Sequence, residues 1–64
     1  SMSEDLNMSM RKFLKQVGVT SQQAIEDAVR TAPNTAGKSY SAKMVLTLEG
    51  LDFEHVVTGK IESN

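Results

Sequence analysis

The apolar residues of this chain change their period at its one proline, and that change constrains the fold more than any other feature. Before Pro33 they recur every three or four residues, as one face of a helix does; after it they alternate singly, as one face of a strand does. In SEDLNMSMRKFLKQVG the residues Leu6, Met10, Phe13, Leu14 and Val17 make one helical stripe. Ser3 is placed to cap its start, Glu4 and Asp5 complement the positive end of the helix dipole, Lys15 suits the opposite end, and Gly18 suits a left-handed stop. Thr20 followed by Gln23 matches a capping box, which predicts that a second helix begins there. Its stripe is Ala24 or Ile25, Ala28, Val29 and Ala32, and Pro33 ends it by disfavouring helical geometry at Ala32.

The stretch PNTAGKS, Pro33 to Ser39, is rich in turn formers and reads as a loop. Beyond it Tyr40, Ala42, Met44, Leu46 and Leu48 alternate with Ser41, Lys43, Val45, Thr47 and Glu49. Leu51, Phe53, His55, Val57 and Ile61 do the same on a second run, with Gly50 at the turn between them. Pairings whose residue numbers sum to an odd value, such as Leu48 with Leu51 or Leu48 with Phe53, put both apolar rows on one face. The fold class is therefore α+β, two N-terminal helices followed by a C-terminal antiparallel β-hairpin (ααββ). The helices are expected near residues 4–17 and 20–32 and the strands near 40–49 and 52–62, each bound good to ~2–4 residues. The two helices are expected to cover one face of the hairpin, with Leu46 and Phe53 in the core and Leu46→Ala costing ~2–5 kcal/mol.

At 64 residues there is room for one small domain, residues 1–64, and no second core. Ser1 ahead of Met2 reads as a cloning scar. Aromatics are 5% of the chain, so the core must come from aliphatic residues and Met, and help from a partner chain is expected. The absence of cysteine removes disulfides and thiolate chemistry, which favours the cytoplasm. No apolar run is long enough for a membrane span, and no signal peptide is visible. A net charge of −1 gives no broad attraction to nucleic acid.

Chemistry-bearing groups are sparse. His55, the one histidine, sits on the apolar row between Phe53 and Val57, and its neighbours Glu54 and Val56 point to the other face. No serine lies in a nucleophile elbow, and the four glycines are too scattered to cradle a phosphate. Neither catalytic, cofactor nor metal residues are expected. Met10 and Met44 fall on apolar rows, while Met8 has no evident role. The segment MRKFLKQVGVTSQQAIEDAVR has the outline of a helix-turn-helix, with Arg11, Lys12 and Lys15 as the candidate nucleic-acid contacts. Against that stand bulky Leu14, where close helix crossing needs a small residue, and Glu26 and Asp27 on the would-be recognition helix.

The stretch NMSMRKFLKQVGVTSQQAIEDAVR, with the later EHVVTGKIE, resembles a family of very short uncharacterised bacterial proteins, domain of unknown function family 6494. The resemblance implies a bacterial, cytoplasmic origin and no mechanism. The functional expectation is a non-enzymatic module that binds itself or another protein, most simply as a homodimer. Its candidate surface is the outer hairpin face carrying Val45 and Val56. The alternative is a small nucleic-acid-binding regulator; a membrane or small-molecule partner is not expected.

Overall fold

The computed structural model describes residues 1–63, so the last position of the expected domain lies outside them. The chain is α+β, in the order α1 (Met2–Thr31), β1 (Lys38–Thr47) and β2 (Glu54–Ser63). It divides into two compact units, Ser1–Pro33 and Asn34–Asn64.

The first unit is one helix of 30 residues, where two were expected. At 1.5 Å per residue it is about 45 Å long. The reason for the single element lies in the phase of the stripe. From Val17 the spacing continues through Ser21, Ala24 and Ala28 in steps of four, three and four, so the small-residue half stays on the face begun by Leu6 and Met10. A glycine inside a helix costs only about 1 kcal/mol relative to alanine. A break at Gly18 would instead create two new ends, each with four unpaired backbone groups. Thr20 does not cap anything: its hydroxyl donates to the Gln16 carbonyl one turn back, at 2.8 Å.

The helix starts earlier than expected as well. Ser1 is the N-cap, its hydroxyl accepting from the Glu4 N–H at 3.4 Å, and the Glu4 side chain returns the bond to complete a capping box. Ser3 is consequently inside the first turn. The other end behaves as Pro33 demands: Ala32 is extended (φ −80, ψ 143), and its N–H still bonds the Ala28 carbonyl at 3.1 Å. Arg30 in the last turn complements the dipole and pairs with Asp27, an exposed contact worth about 0–1 kcal/mol.

The second unit is the antiparallel hairpin, its register running from Lys38 opposite Ser63 to Thr47 opposite Glu54, every pair summing to 101. That odd sum puts Met44 beside Val57 and Tyr40 beside Ile61 on one face, with His55 opposite Leu46 and Gly59 opposite Ala42. Leu48, Leu51 and Phe53 lie outside the ladder, in the loop 48–53, where the Leu51 N–H bonds the Leu48 carbonyl at 3.1 Å. Gly50 there has φ +90, a left-handed conformation that side chains resist. The open end is fastened by the Gly37 N–H to the Ser63 carbonyl at 2.8 Å, and the Ser63 hydroxyl donates to the Thr35 carbonyl.

No described residue is buried in the single chain. Leu46 is half-buried, as are Ala42 and Ile61, whereas Phe53 remains 41% exposed. The expected core position therefore fits Phe53 least: it belongs to the loop at the tip, not to a strand. A two-stranded ribbon has too few neighbours around each side chain to withdraw one from water unaided.

Candidate functional site

Val45 and Val56, one on each strand, are direct partners in the ladder. They stand at the middle of the polar face, 49% and 43% exposed. Around them on that face are Lys43 opposite Thr58 and Thr47 opposite Glu54. Farther along, Lys60 donates to the Ser41 hydroxyl at 3.1 Å and Ser39 donates to the Glu62 carboxylate at 3.0 Å. These cross-strand bonds satisfy the polar end of the face and leave the valine pair as its apolar centre. Beyond the strands, Leu48, Leu51 and Phe53 form an apolar tip, with Leu51 65% exposed. Their alternation with polar residues continues that of the strands, but the turn at Gly50 ends the pairing before them and leaves all three in a loop.

Arg11, Lys12 and Lys15 lie along the polar side of α1, and with Met8 and Leu14 they border a shallow open hollow on the helix. Met8 thereby acquires a place, an exposed apolar residue among basic ones. Among the described residues none of the three cations has a carboxylate within ion-pair distance. The helix-turn-helix outline is not realised, because Gly18 and Val19 are inside a continuous helix and there is no turn to set a recognition helix at an angle. The second half of the helix carries a similar shallow hollow bordered by Gln22, Gln23, Glu26, Asp27 and Arg30. Gln22 there donates to Glu26 at 3.1 Å.

The larger feature is the stripe itself. Leu6, Met10, Phe13 and Leu14 are all exposed, with only Val17, Ser21 and Val29 half-buried along the helix. A single sequence pattern predicts which face is apolar but not whether anything covers it, and within this chain the stripe stays open. Among the described residues no three His, Asp or Glu side chains come together as a metal ion would require. Among the described residues no helix is long and apolar enough to cross a membrane. No curated protein and no solved structure matches the chain. The match that exists is to a family model spanning residues 2–64, and the chain accordingly belongs to DUF6494, a family of unknown function.

Proposed function

We propose that this protein is a non-enzymatic self-association module whose first partner is a second copy of the same chain. The observation that carries the reading is that no described side chain is buried, although the chain folds into a capped helix and a registered hairpin. Apolar surface of this extent on a small soluble chain marks an interaction site. A partner chain supplies the burial that a 64-residue chain with few aromatics lacks. The Val45–Val56 pair offers one such contact, and the free edges of the two-stranded sheet offer backbone groups to another strand. A chain without cysteine suits a reducing compartment, and the cytoplasm is the proposed setting.

Sedimentation equilibrium over a range of concentrations tests the reading. The expected result is a mass of two or more chains at micromolar concentration, with Val45→Lys and Val56→Lys together lowering the melting temperature. A monomer mass persisting at high micromolar concentration, with the melting temperature unmoved by the lysines, overturns it. The basic strip Arg11, Lys12 and Lys15 supports a second reading, contact with nucleic acid along the helix. Salt-sensitive micromolar binding to random duplex DNA by a monomeric chain is the result that favours it.

A further inference from the structure

The stripe on α1 has a symmetry that a second copy of the helix would satisfy. Along its centre line, with Leu14 set to one edge, Leu6, Met10, Phe13, Val17, Ser21, Ala24 and Ala28 are spaced four, three, four, four, three and four residues apart, a series that reads the same from either end and is centred on Val17. Leu6, Val17 and Ala28 fall eleven residues apart, a repeat close enough to the natural helical period that the stripe holds one side of the helix along its whole length.

The side chains are not symmetric about that centre. Those before Val17 are large and those after it are small. We propose, as a deepening of the self-association reading, that two copies of α1 pack antiparallel along this stripe with the two-fold axis at Val17. Leu6 then faces Ala28 of the second copy, Met10 faces Ala24, Phe13 faces Ser21, and Val17 meets itself. Every layer but the central valine pair sets a large side chain against a small one, which keeps the axes evenly spaced and the core filled. A parallel pair does the opposite: it crowds Leu6, Met10 and Phe13 against their own copies at one end and leaves alanine against alanine at the other.

Around the helix axis Asp5, Arg11, Lys12, Lys15, Glu26 and Arg30 lie roughly 120° or more from the line of Val17, on the side away from the stripe, so these charges stay in water when two stripes meet. The small residues Ser21, Ala24 and Ala28 allow the close end of the usual interaxial range, about 8–10 Å.

Because the chain has no cysteine, disulfide trapping in the full-length protein reads the orientation directly. Val17→Cys alone is expected to form a covalent dimer on mild oxidation. Leu6→Cys and Ala28→Cys are expected to cross-link when mixed and to stay unlinked when each is oxidised alone. Circular dichroism of each variant checks that the helix is retained. As a measurement independent of cysteine, Met10→Ala should weaken dimerisation about threefold or more, and adding Ala24→Met, which exchanges the large and small partners of one layer, should restore it. Self-linking of Leu6→Cys as readily as mixed linking overturns the antiparallel arrangement. A dimer mass with none of these cross-links, or no restoration by the size swap, overturns the helical interface while self-association stands through another surface. A monomer mass throughout removes both proposals.

Discussion

The helix and the hairpin solve the backbone problem in different ways. All interior N–H and C=O groups of α1 are paired within one continuous segment, so its ends alone need help, and Ser1 with Glu4 gives it at the start. The hairpin pairs each strand on one side only, and its register depends on a turn that Gly50 makes at φ +90. Side chains, by contrast, are equally unprovided for in both: the helix stripe and the two faces of the hairpin all remain open. Secondary structure here is complete in each unit while burial is complete in neither.

The sharpest way to break this comparison is Val19→Pro. Val19 is 60% exposed, so the change removes little packing, but inside a continuous helix it deletes a hydrogen bond and clashes with the preceding turn, costing about 3 kcal/mol or more. Far-UV circular dichroism should show a large loss of helicity; an unchanged spectrum and melting temperature would mean a turn at this position. For the hairpin the corresponding substitution is Gly50→Ala. Space is not the obstacle, since nothing lies within 4 Å of the added carbon, but a left-handed alanine costs about 1–2 kcal/mol. A midpoint in urea equal to that of the wild type would show that the loop has another route through the turn. The smallest effect comes from Gly18→Ala, and its sign decides. Within the helix there is open space around the new methyl and a stabilisation of about 1 kcal/mol is expected. Destabilisation would restore the helix stop that the isolated segment suggests.

Gly18 also shows why the sequence was legible in one half and misread in the other. Start and stop signals such as Gly18, or Thr20 with Gln23, are properties of four or five residues, and a long helix overrides them when its stripe keeps phase on both sides. The phase of Ser21, Ala24 and Ala28 with Val17 is present in the sequence, but the local start signal of Thr20 and Gln23 masks it. The hairpin register, conversely, followed from a long-range requirement, that two alternating rows share a face, and it holds over all ten pairs from Lys38 to Thr47. Its tip was extended too far because Leu48 and Phe53 continue the alternation beyond the last paired residues. That Val45 and Val56 share the outer face was legible for the same reason, whereas their direct pairing was not, because an odd sum of 99 would have set Val45 opposite Glu54. What alternation and periodicity do not encode is whether a face is covered, since that depends on what lies opposite, which a single chain need not contain.

The half-open apolar surface bears on heat capacity. The large positive change on unfolding comes from newly hydrated apolar surface, and a chain that withholds so little from water contributes little of it alone. If a second copy covers the stripe, most of that heat capacity appears in the step where two chains separate. Melting is then governed by mass action, its temperature rising with the amount of chain present. Calorimetric scans at increasing concentration would trace one curve moving upward in temperature, and the abundance of the protein would itself set how much of it is folded.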